Sequence, residues 1–429
     1  MFGFANFLLL VLFAAAVFDL IFALARGGGL RGALHGLWNT PHLLFGQQLA
    51  EWRLQLGRIL FAAGLAAYEI SVVFCNSMAR QNWAWVQGVM SPVLEWLAFL
   101  CFGAKILFGT RYTWRELLAS GALYFIARWV YFNSQNIWWI GIVVAVLAAK
   151  DVSLRRPLQV YFASGCAAMA AVLALHFAGI VAPDLTSERM GALRGTYGYG
   201  HPNTFGGLVF GLVLAYALLR AQKVRWVDCL LVFAVGVFLL VGPASRSAAL
   251  CTLALAVGLV FCRLRAGHSV PRWWPGTCAG MVGLTAAVSY LLPLLVIKVG
   301  PWNNDIGPAW LAKLDSLLTC RISLTWMAYR LLDVKIAGQV FNWPTVDNSF
   351  AFALFQFGPV VAALLGILFA AALWGHAKQG RRVEVCCLFA MLAYAYMEVQ
   401  PFHLTTNPTA LLLCGAVFAQ TSARWQKIE

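Results

Sequence analysis

The sequence predicts an all-α, polytopic membrane protein with about 12 to 13 transmembrane helices and one large external loop. Hydrophobic residues make up 62% of the 429 positions, and charged residues make up only 11%. A soluble domain cannot bury that much apolar surface, so lipid must cover part of it. The apolar residues lie in long runs separated by short polar connections, and we expect a single integral membrane domain over residues 1–429.

Thirteen apolar segments are long enough to span a bilayer by a criterion of about 20 residues. In chain order they are 1–25, 59–76, 86–109, 116–133, 135–150, 159–182, 203–221, 226–243, 246–264, 276–299, 348–374, 384–400 and 407–421. The neighbouring segments 116–133 and 135–150 could instead form one broken hairpin. The first segment has no basic leader before its apolar core, which favours a spanning helix over a cleaved signal peptide.

The basic residues predict the orientation of these helices. If the loop around His201 faces outside, 21 of the 31 lysines and arginines lie in the inner connections, as the positive-inside rule requires. The net charge of +15 is distributed in small groups between apolar segments. This pattern lacks the continuous basic face of a nucleic-acid-binding protein, so we expect no nucleic-acid partner.

The longest outer connection, residues 300–347, is the predicted external loop. It begins with turn-forming residues, and apolar residues then recur every three or four positions from Trp310 to Leu332. We expect one amphipathic helix over the membrane surface, with Arg321 on its more polar face. Loops of this length are usually functional or disordered, and the aromatic content of this one argues against disorder.

The polar stretch from Glu188 to Phe205 lies between two apolar runs. It contains Arg189, Arg194, His201 and Asn203 among several glycines. Guanidinium groups present a planar fork of donors that suits phosphate oxygens, and glycines let the backbone approach a ligand closely. Arginines near a membrane also anchor on lipid headgroups, and the spacing alone supports both interpretations equally.

The run Arg194–Gly206, Arg-Gly-Thr-Tyr-Gly-Tyr-Gly-His-Pro-Asn-Thr-Phe-Gly, resembles the signature of bacterial Wzy-type polysaccharide polymerases, whose superfamily also contains the O-antigen ligases. The resemblance extends over residues 184–407, and two residues depart from it: Cys320 stands where a glycine is usual, and Phe350 where a tyrosine is usual. The further elements that resemble the family's, in the same order, are Ser245-Arg246-Ser247, Thr319-Cys320-Arg321-Ile322, Val346-Asp347-Asn348-Ser349-Phe350 and Phe357-Gly358.

This resemblance implies a GT-C-like, metal-independent, inverting glycosyltransferase in the bacterial cytoplasmic (inner) membrane. Such an enzyme polymerises undecaprenyl-diphosphate-linked oligosaccharide repeat units on the outer leaflet, with its active site facing the periplasm. The growing chain on undecaprenyl diphosphate is the donor, and the non-reducing sugar of an incoming unit is the saccharide acceptor. Besides the lipid bilayer, the expected partners are the polysaccharide flippase and the chain-length machinery.

The outer arginines are the candidate diphosphate ligands. Arg194, Arg246 and Arg321 lie on three separate outer elements, and a diphosphate near a membrane needs several cations to hold it. Because the polyprenyl diphosphate leaves during transfer, the same cations would also stabilise the developing negative charge. Arg189, at the loop edge beside Glu188, is a weaker candidate for the same role.

An acceptor hydroxyl must lose its proton as it attacks the anomeric carbon, which requires a general base. The resemblance favours Asp347, because related ligases carry a histidine at this position, although Asp347 could equally cap a helix starting at Asn348. Glu398 ends an apolar run, where an acid is costly unless paired, so it could hold an arginine or bind sugar. The candidate bases on the outer face are His201, Asp347, Glu398 and His403.

Polar side chains near these bases are candidate sugar ligands, namely Asn203, Asn348 and His403. His201 precedes Pro202 and could instead cap or brace its loop. The eleven cysteines lie mostly within apolar runs without the spacing of metal ligands, and the predicted outer face has no Asp-x-Asp pair. We therefore expect no metal site and no cofactor.

Two other functions fit part of the pattern. An O-antigen ligase would transfer polysaccharide from undecaprenyl diphosphate to lipid A-core, and Asp347 in place of a histidine favours a polymerase over it. A lipid-linked oligosaccharide transporter or flippase would have paired repeats and broken helices around a mid-membrane site. The sequence shows no internal repeat, and its motif arginines are predicted at one face.

Overall fold

The computed structural model describes residues 2–25, 29–181, 187–189, 192–297 and 307–418. The chain is 76% helix and 2% strand, which confirms the all-α class. Its α-helices are α1 (Phe2–Ala25), α2 (Gly29–Asn39), α3 (Ala50–Cys75), α4 (Ala79–Asn82), α5 (Ser91–Phe108), α6 (Trp114–Ser134), α7 (Ile137–Ala148), α8 (Arg155–Phe177), α9 (Pro202–Leu219), α10 (Trp226–Val241), α11 (Arg246–Leu264), α12 (Trp274–Leu291), α13 (Ala309–Leu317), α14 (Arg321–Leu331), α15 (Ser349–Phe352), α16 (Pro359–Lys378), α17 (Arg382–Met397) and α18 (Cys414–Val417).

Short elements of other types complete the chain. The π-helical turns are Val86–Met90 and Ala353–Phe357, and the 3₁₀ helices are Leu292–Leu295, Gln400–Phe402 and Pro408–Leu413. Two antiparallel strand pairs join β1 (His42–Leu43) with β2 (Arg111–Tyr112) and β3 (Ser187–Arg189) with β4 (Ala192–Arg194).

Seven helical segments within the described residues are long and apolar enough to cross a membrane, as in a multi-pass membrane protein. They are Ala50–Cys75, Val86–Phe108, Arg155–Phe177, Pro202–Leu219, Arg246–Leu264, Trp274–Leu295 and Pro359–Lys378. This number is below the predicted 12 to 13, because several predicted spans are shorter than expected. Helix α7 has 12 residues, α10 and α17 have 16 each, and the predicted span 407–421 begins as a six-residue 3₁₀ helix.

Three neighbouring helices, α9, α11 and α17, form the centre of the molecule and position the candidate site. Helix α9 packs closely against α11 at Gly206 and against α17 at Gly207, and Gly211 lies against the backbone of Thr405 and Thr406. A Cβ atom at Gly206 would overlap Ser245, and one at Gly207 would overlap Gln400. Such small residues let helices approach closely in a membrane protein. We call the end with residues 202, 246 and 397 the site end, and the opposite end, with residues 219, 264 and 382, the far end.

The predicted external loop contains two helices instead of the single helix expected over Trp310 to Leu332. Helix α13 ends at Leu317 and α14 begins at Arg321, because Thr319 and Cys320 adopt left-handed conformations with φ of 62° and 63°. Asp315 then stabilises the start of α14, since its carboxylate accepts hydrogen bonds from the backbone of Ile322 and Ser323 at 2.8 and 3.2 Å. The break positions Arg321 at a helix start.

The end of this loop is tied to the segment before α16. Gly338 and Gly358 have positive φ values of 75° and 88°. A Cβ atom at Gly338 would overlap the backbone of Gln356, and one at Gly358 would overlap the backbone of Ile336. Glycine is required at both positions for these two reasons together. The chain therefore enters α15 and α16 in a fixed position beside the site end.

Candidate functional site

A buried ion pair lies at the centre of the site end. Arg321, at the start of α14, donates from Nη2 to Glu398 Oε1 at 2.5 Å. The same carboxylate oxygen accepts hydrogen bonds from Ser247 Oγ at 2.8 Å and from Asn203 Nδ2 at 3.1 Å. Arg321 is 7% exposed and Glu398 is 5% exposed. The carboxylate thus joins α9, α11, α14 and the end of α17, and the expectation that Glu398 could hold an arginine is confirmed.

The guanidinium of Arg321 is bound by protein on each of its nitrogens. Nε donates to the carbonyl of Met397, Nη1 donates to the carbonyl of Leu318 at 2.8 Å, and Nη2 also reaches Ser247 Oγ at 3.2 Å. Arg321 therefore lies at the start of α14 and is buried against the protein, and the single amphipathic helix expected to carry it does not form. A charged group can be buried here because its charge is paired and its donors are satisfied.

Asn203 connects this ion pair to a second buried arginine. Its Oδ1 accepts a hydrogen bond from Arg194 Nη2 at 2.9 Å, while its Nδ2 reaches Glu398. Arg194 is 7% exposed and also donates to the carbonyl of Ala244 at 3.2 Å. Four of the elements singled out in the sequence, around residues 194–203, 245–247, 321 and 398, therefore meet in one hydrogen-bonded network.

His201, Arg246 and Asp347 lie more openly at the same end. His201 is exposed, and its Nδ1 accepts a hydrogen bond from the backbone N–H of Asn203 at 3.1 Å. It therefore caps α9, with Pro202 in the first helical turn, as one of the two interpretations predicted. Arg246 is exposed and is the first residue of α11, so its side chain stands at a helix N-terminus.

Asp347 is half-buried and lies within the electrostatic reach of two cations. Burial raises the pKa of Asp347 above its ordinary value, and the charges of Arg321 and His201 partly oppose that shift. The alternative that Asp347 caps the following helix is wrong. Asn348 caps it instead, since its Oδ1 accepts hydrogen bonds from the N–H groups of Phe350 and Ala351 at 2.9 and 3.1 Å.

The predicted sugar ligands have other contacts in the structure. Asn348 Nδ2 donates to Ser289 Oγ and to the carbonyl of Tyr396, both at 3.1 Å, so its polar atoms are engaged within the protein. The ring of His403 lies against Trp138, with centroids 3.7 Å apart and the ring planes tilted by 42°, and burial lowers the pKa of His403 to about 3. This histidine is therefore neutral at neutral pH.

The side chain of Arg189 lies outside the described residues, and only its backbone, in β3, is described. Strand β3 pairs with β4, with Ser187 opposite Arg194. This pairing fixes the chain just before the buried guanidinium of Arg194.

The sequence analysis assigned no role to three residues that complete the network, namely Ser247, Tyr394 and Gln400. Ser247 was part of the Ser245-Arg246-Ser247 element, but its hydroxyl bridges Arg321 and Glu398. Gln400 donates to the carbonyl of Asn203 at 3.2 Å and accepts from Tyr394 Oη at 2.7 Å. The adjacent glycines of α9 were the available signal, because they indicate a close approach by another segment.

The site end therefore contains two buried arginines, Arg194 and Arg321, in fixed positions. Asp347 is a half-buried carboxylate whose raised pKa favours proton acceptance. Within the described residues, no group of three or more histidine, cysteine, aspartate or glutamate side chains could hold a metal ion. Comparison with known families, curated proteins and solved structures gives no match for this chain.

Proposed function

We propose that the protein is a metal-independent, inverting membrane glycosyltransferase that polymerises undecaprenyl-diphosphate-linked oligosaccharide repeat units. The observation that carries this proposal is the network around Glu398. Through Glu398 it unites elements that resemble polymerase motifs but are far apart in sequence, from Arg194 to Arg321. The proposal includes a GT-C-like fold and a bacterial inner membrane, with the site end facing the periplasm.

Arg246 is the residue we assign to direct contact with the diphosphate. It is exposed, and the N-terminus of the 19-residue helix α11 adds the partial positive charge that favours an anion. A guanidinium can bind two phosphate oxygens at once, which suits a leaving diphosphate better than an ammonium group does.

The buried arginines have a different part in this proposal from the one expected from the sequence. Arg321 already neutralises Glu398, and Arg194 is held by Asn203 and Ala244. We assign them to fixing the site and to maintaining a positive field around it, since oriented groups stabilise developing charge without reorganising.

Asp347 is the proposed general base. Its carboxylate would take the proton of the acceptor hydroxyl while that oxygen forms a bond to the anomeric carbon of the donor. The bond from the anomeric carbon to the diphosphate oxygen breaks, and its electron pair leaves with the diphosphate. Burial raises the pKa of Asp347, which makes its carboxylate a stronger base than an exposed aspartate. Glu398 suits this role less, because its Oε1 accepts three hydrogen bonds.

The test is elongation by purified protein in detergent, in the presence of a chelator. Lipid-linked repeat units should be joined into longer chains, and Asp347→Asn should lower the rate by about 10²- to 10⁴-fold. The matched control is Asp333→Asn, which removes an exposed carboxylate from the same loop and should leave the rate unchanged. Both variants are assayed at equal protein abundance. They are compared only if their melting temperatures equal that of the unmodified protein.

The other outcomes identify the alternatives. Glycosyl transfer only when lipid A-core is the acceptor would identify a ligase. Movement of lipid-linked units across a vesicle membrane, without glycosyl transfer, would identify a flippase. Normal elongation by Asp347→Asn would remove the general base from the proposal and leave the polymerase activity in place.

A further inference from the structure

The far end of the central helices contains an open cleft that the proposed transfer reaction does not use. The cleft has a volume of about 430 Å³, which lies within the usual range for small-molecule sites. Three connections meet there: the one after α9, the one after α11 and the one before α17. Helix α11 is about 28 Å long at 1.5 Å per residue, so the cleft lies about one bilayer core away from the site end.

Positive charge dominates the lining of this cleft. Lys223, Arg263, Arg381 and Arg382 contribute four basic side chains, against the single carboxylate of Glu384. Lys223 and Arg263 are exposed, and neither forms an ion pair with a carboxylate in the described parts of the chain. These two cations are therefore available to a ligand in water.

The walls are held in place by other contacts. Arg382 donates to the carbonyls of Arg265 and His268 at 2.6 and 2.5 Å, which ties the connection after α11 to the start of α17. Gly267 and Gly380 line the cleft with positive φ values of 83° and 72°. These turns bring the backbone itself to the edge of the cleft, where a side chain would occupy space.

A neighbouring arginine at the far end is paired with a carboxylate. Arg220 lies in the same connection as Lys223, and its Nε contacts both carboxylate oxygens of Asp228 at 3.1 Å. The chain therefore neutralises Arg220 beside the cleft, while Lys223 and Arg263 inside it form no ion pair with a carboxylate among the described residues. Orientation in the membrane alone would not require that difference, since it depends on the number of basic residues and not on their convergence.

We propose that this cleft binds an anionic phosphate group, either on a lipid headgroup or on a soluble phosphate compound. Lys223 and Arg263 would contact the phosphate oxygens, Arg381 would add to the field from the opposite wall, and Arg382 would keep the two walls together. The site is independent of the proposed transfer reaction.

The experiment is calorimetric titration of the purified full-length protein in detergent with three probes. These are inorganic diphosphate, dihexanoyl-phosphatidylglycerol and, as a probe without net charge, dihexanoyl-phosphatidylcholine. The triple variant Lys223→Gln, Arg263→Gln and Arg381→Gln should weaken binding of the favoured probe at least about tenfold, because each charge-assisted contact contributes substantially.

The matched control removes the same charge from the same end without touching the cleft. Arg155→Gln, Arg272→Gln and Lys378→Gln replace exposed residues that do not line the cleft and should leave binding within about twofold, since exposed charges outside the site are screened by salt. Because Arg246 is proposed to contact diphosphate at the site end, the probes are also titrated into the variant Arg246→Gln, and binding that this variant keeps is assigned to the far end.

Binding of phosphatidylglycerol alone would assign the cleft to a lipid headgroup, and binding of diphosphate would assign it to a soluble phosphate. The proposal is overturned if neither anionic probe binds, if phosphatidylcholine binds as tightly, or if the control triple variant weakens binding as much as the cleft variant. It is also overturned if Arg246→Gln abolishes binding that the cleft variant keeps. These outcomes are independent of whether the protein elongates polysaccharide.

Discussion

The two ends of α9, α11 and α17 treat charge in opposite ways. At the site end, Arg321 and Arg194 are each 7% exposed and are bound by side chains and carbonyls of the protein. At the far end, Lys223 and Arg263 face an open cleft. Fixed, desolvated charge acts strongly and with defined geometry, whereas exposed charge captures ligands weakly and is screened by salt. The site end thus holds its charges at fixed positions inside the protein, and the far end leaves Lys223 and Arg263 open to water.

The two ends also differ in the glycine contacts of α9. At the site end, the glycines of α9 admit Ser245 and Gln400 so closely that a methyl group would overlap either residue. The far half of α9, after Gly211, contains no glycine, and the connection that follows it forms part of the cleft. Close packing around these glycines keeps the buried charges of the site end at fixed distances.

The largest expected difference between the ends is in stability. Arg321→Met should lower the free energy of unfolding by about 3–5 kcal/mol, because it leaves the Glu398 carboxylate buried without its cation. Arg263→Met, at the far end, should change it by no more than about 0.5 kcal/mol, since that side chain is exposed. Unfolding of both variants in a detergent–denaturant titration measures the difference.

A double variant shows whether the lost stability comes from the unpaired charge. Arg321→Met with Glu398→Met replaces both charges by apolar groups and should recover much of the loss. Equal stability of Arg321→Met and Arg263→Met would mean that the site-end charges are effectively solvated, and the contrast between the ends would disappear.

The second prediction concerns the exposed arginine of the site end. Arg246→Ala should raise the barrier to glycosyl transfer by about 2–4 kcal/mol, by analogy with loss of one oxyanion donor. That corresponds to a rate lower by roughly 30- to 1000-fold. Arg246→Lys should recover only part of it, because lysine keeps the charge and loses the planar fork.

The control for Arg246 is Arg111→Ala. Arg111 lies 3.9 Å from Glu51, a side chain that is 95% exposed, and such surface pairs contribute little. Transfer at matched membrane abundance should be near normal in this variant. A near-normal rate for Arg246→Lys would assign Arg246 to headgroup anchoring and leave the diphosphate contact to another residue.

Much of the helical framework was predictable because hydropathy and helix length are local properties. The predicted spans 203–221 and 246–264 lie within about two residues of α9 and α11. Hydropathy alone cannot distinguish a helix facing lipid from a segment buried in protein, however. The predicted span 407–421 begins as a buried 3₁₀ helix for this reason, and α7 is buried along most of its 12 residues.

The candidate site was predictable as a set of residues but not as a geometry. The order of the motif elements indicated which side chains matter, and their long-range contacts join Asn203 to Glu398 across 195 positions. No local pattern specifies that contact. The helix start was also misplaced by one residue, since Asp and Asn both cap helices well and the sequence places Asp347 directly before Asn348.

The pH dependence of transfer tests the electrostatics around Asp347. The base acts as a carboxylate, so the rate should fall as the pH drops through its pKa, which lies above the ordinary 3.8 because of burial. The charge of His201 lowers that pKa, so removing it should raise the pKa further and move the acidic limb to higher pH. His201→Asn removes the charge and keeps an acceptor that can cap α9.

The matched control for this pH profile is His35→Asn, which replaces an exposed histidine of α2. Its acidic limb should coincide with that of the unmodified protein. An unchanged limb in His201→Asn would contradict the proximity of His201 to the base, and a limb near that of a free aspartate would remove burial as the controlling factor.

The smallest predicted effect concerns Cys320. This residue stands where a glycine is usual in the polymerases that the sequence resembles. Cys320 has φ of 63°, a left-handed conformation that costs a residue with a side chain about 1–2 kcal/mol. Glycine avoids this cost but loses more entropy on folding, by about 0.5–1 kcal/mol. Cys320→Gly should therefore stabilise the protein by about 0.5–1 kcal/mol and leave Arg321 at the start of α14. Cys320→Val should destabilise it, because a branched side chain tolerates this conformation poorly. The melting temperatures of the two variants should lie on opposite sides of the unmodified protein, and a stabilising effect of valine would contradict the left-handed turn.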